Sequence, residues 1–359
     1  MKLRFILSAM IISLLALSAC SKPAVEESDE VSVGSEVDLA PVKDYTLRNA
    51  QQMKGNTQLL AANAKAYFEL IEKNNFDYGA AFSASMDEMI DLTEDLKKNW
   101  IDASTYYEFT EGIVAGVPSL ADFDVWLDAG PSGEEDPVEA RVWNLELKDG
   151  RTLENPGNFF HSLLEPAIWG TKEEFVALKT GYDGGQVPAV DFIFPDAYLL
   201  LAAAEGLDNA GGEMIAAVQD WDANLEDVFT ALVTMIPTMN EYFGQWEASF
   251  FIAGNESKEQ AFVGVSRLAD IKGILNGLDV AYKNVSKLVE AKDPLLNQQI
   301  LTGFFQLITY VDGIYLQEKN GKVFTAEQAT QFGAEAQSMA DSLTGQVAQA
   351  AALLGLKIN

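Results

Sequence analysis

The stretch Leu59-Leu60-Ala61-Ala62-Asn63-Ala64-Lys65-Ala66-Tyr67-Phe68-Glu69-Leu70-Ile71 decides the fold class. Leu59, Leu60, Ala64, Ala66, Tyr67, Leu70 and Ile71 share one stripe at helical spacing, with Asn63 as a polar interruption, so a helix with one buried face is predicted. The spacing recurs in Met86, Met89, Ile90, Leu92, Leu96 and Trp100. It returns over Phe229 to Phe251, Phe262 to Val289, Leu295 to Tyr315 and Ala326 to Leu354. Long amphipathic segments with short links and few prolines predict an all-α protein built from antiparallel, four-helix-bundle-like lobes.

The middle of the chain breaks this pattern. From Gly116 to Gly157 it is rich in Pro, Gly and acid, and Trp143 to Leu153, with Lys148-Asp149-Gly150 at its centre, reads as a small hairpin inserted among long loops. Thr180 to Phe194, with Gly181, Gly184, Gly185 and Pro188, reads as a second irregular stretch. The length after the tether suggests two lobes. Residues 44–206, with the insertion near 116–157, form the first, and residues 207–359 the second.

Met1 to Ala19 has the parts of an export signal: Lys2 and Arg4, an apolar run from Phe5 to Leu17, then small residues. Leu17-Ser18-Ala19-Cys20 resembles the lipobox of bacterial lipoproteins, which implies cleavage before Cys20 and lipid attachment to it. Residues 20–43 read as a lipidated acidic tether. The expected location is periplasm-facing or cell-surface, at the outer membrane if the source has two, since Ser21 stands where an inner-membrane retention signal would place Asp. Cys20 is the sole cysteine, so the folded part has no thiolate or disulfide chemistry. With 54 Asp plus Glu against 24 Lys plus Arg and a formal charge of -30, the chain repels nucleic acid and attracts cations.

His161 is the single histidine. It lies in Pro156-Gly157-Asn158-Phe159-Phe160-His161-Ser162-Leu163-Leu164-Glu165-Pro166-Ala167-Ile168-Trp169-Gly170. Asn158 suits a helix cap, His161 and Glu165 fall four apart on one face, and Pro166 predicts a bend. By spacing alone the pair reads more readily as packing and capping than as ligands. As ligands, an imidazole and a carboxylate suit iron, zinc or copper. Glu108 and Glu111 lie on a predicted helix, and Asp124 and Asp128 on a following segment; each alone reads as a solvated acid. Arg267 and Asp270 read as a structural ion pair, and Tyr106, Tyr107, Phe109, Phe159, Phe160, Trp169 and Tyr242 as core aromatics.

The block from Gly157 to Gly170 resembles the signature of imelysin-family proteins and the related EfeM/EfeO-type periplasmic iron-uptake proteins. Tyr107 to Ile113, Ala121 to Asp128 and Phe262 to Leu275 resemble further segments of that family. The likeness spans most of residues 44 to 356. It implies a metal site, iron favoured with copper or zinc as alternatives, on His161, Glu165, Glu111 and Asp128, and a metal-transport partner protein. One departure stands out: the family pattern puts two residues between His and Glu, and here there are three. Aligning on Glu165 places Ser162 in the histidine slot; aligning on His161 places Leu164 in the glutamate slot.

Two other function classes remain. Some imelysin relatives carry a peptidase name, but one histidine cannot form His-Glu-x-x-His, and no Gly-x-Ser-x-Gly elbow supplies a serine nucleophile. Enzyme status is open and leans towards non-catalytic. A structural or protein-docking envelope lipoprotein is the other alternative to metal capture.

Overall fold

The computed structural model describes residues 37–182 and 190–358. Asp38–Asn359 is one compact unit, and the fold is all-α with two small two-stranded sheets among the described residues. The signal, Cys20 and the tether up to residue 36 lie outside the described residues. The tether's assigned end at residue 43 is too late, because helix α1 (Ala40–Lys73) already starts at Ala40, with Pro41 in its first turn.

Helix α1 buries Val42, Thr46, Ala50, Met53, Thr57, Leu60, Ala64, Tyr67 and Ile71. They recur every three or four residues, the period that keeps one face inward. Two members of the predicted stripe are misplaced: Leu59 is 55% exposed and Ala66 is exposed, since each sits one position off that seam. Helix α2 (Tyr78–Val114) is irregular at Ser85 and then buries Met89, Thr93, Leu96, Trp100, Ala103 and Tyr107 against its neighbours.

After α2 come a short helix α3 (Ala121–Asp124), which continues as a π-helical turn over Val125–Ala129, and the hairpin β1 (Asn144–Glu146) and β2 (Thr152–Glu154). The hairpin pairs Leu145 with Leu153, as the turn residues predict. A second π-helical turn, Phe159–Leu164, passes into α4 (Glu165–Trp169). The described parts of the stretch read as irregular are instead strands, β3 (Val176–Tyr182) and β4 (Val190–Pro195), pairing Thr180 with Phe192. The glycines of the stretch weakened the alternation that marks a strand, and Gly184, Gly185 and Pro188 lie outside the described residues.

Helix α5 (Ala197–Asp220) packs on α1. The division expected near residue 206 therefore falls inside an unbroken helix, and residues 207–220 belong with the first group. The change of packing partners comes after Asp220. Helices α6 (Leu225–Met235), α7 (Met239–Ala248) and α8 (Phe250–Ala253) replace the single predicted helix 229–251. Pro237 removes a helical N–H donor at the first break, and Ser249 caps a new start at the second.

Helix α9 (Arg267–Lys292) begins five residues later than predicted, capped by Ser266. It packs on α2 and on α10 (Pro294–Lys319), and α11 (Ala326–Leu353) packs on α10 and α7. The α2 and α9 backbones approach closely because α9 presents Gly273 and Gly277. A Cβ at Gly273 would stand 2.7 Å from Glu108 Cβ, and one at Gly277 2.8 Å from the Phe109 carbonyl. That contact carries Glu108 and Glu111 of α2 to the first turn of α9, where the candidate site lies. No helix among the described residues is long and apolar enough to cross a membrane.

Candidate metal centre

Four segments converge on His161. Helix α2 contributes Glu108 and Glu111, the turn after α3 contributes Asp128 with Asp124 just before it, the Phe159–Leu164 turn contributes His161, and α9 contributes Arg267 and Asp270. All are buried, with Asp124 the most exposed at 8%.

Both π-helical turns matter. Asp128 and His161 each lie on one, where the backbone bonds span five residues: Gly130 N–H donates to the Val125 carbonyl, and Glu165 N–H to that of Phe160. Such wide turns recur at functional sites. On the second, His161 Nδ1 stands 2.7 Å from Glu165 Oε2. Asn158 joins the two turns. Its Oδ1 accepts from the N–H groups of His161 and Ser162, at 2.6 and 3.2 Å, and its Nδ2 donates to the Gly130 carbonyl at 3.0 Å. Asn158→Ala is expected to cost about 1 kcal/mol in chemical denaturation and to weaken metal binding as well, since Asp128 and His161 lose their common tie.

Glu165, which the resemblance placed in the ligand set and its spacing alone in a packing or capping role, is held by hydrogen bonds. Its Oε1 accepts from Val263 and Gly264 N–H, both at 2.8 Å, and its Oε2 from Phe262 N–H at 2.9 Å as well as from His161. A carboxylate with both oxygens so occupied is an orienting group and leaves no oxygen for a metal. An acceptor in this position requires the Nδ1 proton, so Nε2 is the nitrogen turned to the cluster, the arrangement by which carboxylates support histidine ligands. Phe262 has a left-handed backbone, φ 54°, which aims successive N–H groups at this one carboxylate.

Several atoms of the remaining groups lack partners. No hydrogen bond reaches either oxygen of Glu108 or Asp128, Oε2 of Glu111 or Nε2 of His161. His161 Nε2 does stand 3.2 Å from Asp128 Oδ1, close enough for an ion pair though out of hydrogen-bond alignment. Buried polar atoms are nearly always satisfied, so this concentration of donor atoms marks a place built for something else. Donor atoms of Glu108, Asp128 and His161 all lie within 4.8 Å of one another, as do those of Glu111, Asp124 and Asp128. The donor set fits a cation: several acceptor oxygens and one imidazole nitrogen face the same space.

Charge is strained here in the manner of a functional site. Burial, with the charges of Asp270 and Glu111 added, pushes the Glu108 carboxyl well above the usual range. Burial likewise raises Glu111, helped by Asp128, and Asp124, helped by Glu111 and Asp128. Burial would raise Asp128 too, but His161, by its charge and contact, and Arg267 outweigh it and hold that carboxyl low. For His161 burial opposes the charged form, yet Asp128 and Glu165 together carry it up to about 10. Asp270 is pushed up to about 7 by burial despite Arg267 Nη1 at 3.2 Å.

Of the residues singled out from the sequence, Glu111, Asp128 and His161 come together, Glu165 stands behind His161, and Glu108 and Asp124 join them. Sequence reasoning missed Tyr107 and Tyr242 as site residues. Their hydroxyls donate to Asp124 at 2.7 Å and to Glu111 at 3.0 Å. Arg267 was read correctly as an ion pair with Asp270, but it also donates to Gln245 Oε1 at 2.7 Å and faces the cluster. Glu111, Asp124, Asp128 and His161 line a cleft of about 640 Å3, with Tyr242 and Phe262 on its walls, and their unpartnered donor atoms lie just beneath its surface.

An imelysin family model matches residues 80–350 of the chain. A comparison with curated protein sequences finds no match.

Proposed function

The chain belongs to the imelysin family, and from that premise we propose that it is a lipid-tethered, extracytoplasmic protein that captures a metal ion, iron favoured, and passes it to a transport partner in the manner of EfeO-type proteins. The observation that carries this reading is the group of unpartnered buried donor atoms on Glu108, Glu111, Asp128 and His161. A fold gains no stability from such atoms; a cation satisfies them together. One imidazole among several carboxylates favours iron over copper, which draws more on nitrogen and sulfur donors. The cleft provides an entry and an exit, as a cargo site requires and a sealed structural site does not.

The full chain, titrated with ferrous, ferric, cupric and zinc ions, is expected to bind at stoichiometric levels, with binding lost in Asp128→Asn. That substitution keeps the shape of the side chain and removes the charge that both donor groups share. Failure of all these ions to bind specifically overturns the reading. The tether is tested separately: Cys20→Ala is expected to move the protein from the membrane to the soluble fraction.

A further inference from the structure

We infer that the cluster holds two cations side by side, bridged by Asp128. The inference rests on the capture reading and extends it to the number and kind of ions. The first position is formed by Glu108, Asp128 and His161, the second by Glu111, Asp124 and Asp128. In each, the donor atoms lie within 4.8 Å of one another, a span that admits the roughly 4.2 Å between opposite donors around a cation held at about 2.1 Å. Asp128 alone belongs to both sets, and neither of its oxygens has a hydrogen-bond partner, which leaves one for each ion. Glu111 supplies an independent indication, because Tyr242 occupies its Oε1 while its buried Oε2 is left unpartnered.

Charge supports the same number. Asp270 is matched by Arg267, and Glu165 is satisfied by three backbone N–H groups and His161. Glu108, Glu111, Asp124 and Asp128 remain. Once their protons are displaced, two divalent ions match the charge of these four carboxylates.

The two positions differ in character. The first contains imidazole and suits a borderline ion such as ferrous iron; the second is all oxygen and suits harder ions such as manganese or ferric iron. All members of the second set line the cleft, whereas Glu108 lies behind it. His161 and the shared Asp128 line the cleft as well, so both positions open towards it and only Glu108 stands at the back.

Equilibrium dialysis of the full chain against Mn2+, and against ferrous ion under argon, tests this. Two ions per chain are expected in the wild type, one in Asp124→Asn, one in His161→Ala and none in Asp128→Asn. At two per chain, Mn2+ ions roughly 3.5–4 Å apart should replace the six-line spectrum of an isolated ion with a broad coupled one, and each one-ion variant should restore the six lines. Asn at position 124 still accepts from Tyr107, which protects the fold; if that variant nevertheless fails to fold, Glu111→Gln takes its place with the same expectation. Saturation at one ion in the wild type, unchanged by Asp124→Asn, overturns the pair but leaves capture standing. No ion in the wild type overturns both.

Discussion

Glu165→Ala is expected to lower the unfolding free energy by on the order of 3–5 kcal/mol, the range for breaking a buried charged network, read as a shift of the denaturation midpoint. The fully buried carboxylate accepts from Phe262, Val263 and Gly264 N–H and from His161. Alanine leaves all four donors without their acceptor. A loss under about 1 kcal/mol would show that the loop before α9 is held by other contacts.

Glu165→Gln separates stability from binding. Its amide oxygen can still accept from Val263 and Gly264, so the loss of stability should be smaller than for alanine. Its NH2 group, however, turns towards Phe262 N–H and His161 Nδ1. Nδ1 must then accept, the proton moves to Nε2, and the nitrogen facing the cluster loses its lone pair. Metal affinity should fall by about 10- to 100-fold, as for other supporting groups behind histidine ligands. Unchanged affinity would remove Nε2 from the ligand set.

The second large effect concerns Glu108 and runs the opposite way. Neither of its oxygens has a hydrogen-bond partner, and its side chain is 2% exposed. Glu108→Leu is expected to stabilise the metal-free protein by about 1–3 kcal/mol, the desolvation cost of an unsatisfied buried polar group. It should also weaken metal binding. Added metal raises wild-type stability by about 4.1 kcal/mol at a concentration 1,000 times Kd, so the wild type should become the more stable of the two when loaded. If Glu108→Leu is destabilised without metal, the carboxylate has a structural role.

Acidity gives this prediction a second readout. Burial keeps Glu108 protonated above its ordinary value of 4.5, so over that span the folded chain holds a proton that the unfolded chain has released. The associated stability is full below 4.5 and is lost as pH rises through the higher folded value. Glu111 and Asp124 act with the same sign. The empty wild type should thus lose stability as pH rises through this range, and Glu108→Leu should flatten the slope.

Much of the site was legible one segment at a time. Asn158 was recognisable as a cap, His161 and Glu165 as a same-face pair, and Glu111 and Asp128 from their family segments. A further clue lies in the periodic stripes themselves. Continuing the buried seam of α2 from Trp100 through Ser104 and Tyr107 brings Glu108 and Glu111 to core positions, and continuing that of α9 back from Leu278 through Ile274 and Ile271 brings in Asp270 and Arg267. Acids and an arginine on an apolar seam, at the helix ends that meet, are the mark of a buried polar site. Composition hid them, because a chain with 54 acidic residues offers a solvated explanation for each.

The sequence by itself determined the helices, because apolar periodicity and capping act between residues a few positions apart. It also determined which residue types could bind a cation, since a single histidine and a single cysteine leave little choice. Only the tertiary structure decided their roles. Whether Glu165 is a ligand depends on backbone N–H groups some hundred residues away, whether Asp128 serves one donor set or two depends on where α2 and a wide turn meet, and the burial that keeps Glu108 unpartnered comes from Gly273 of α9 lying against it. These are effects of distance and dielectric in three dimensions, and residue spacing along the chain carries no record of them.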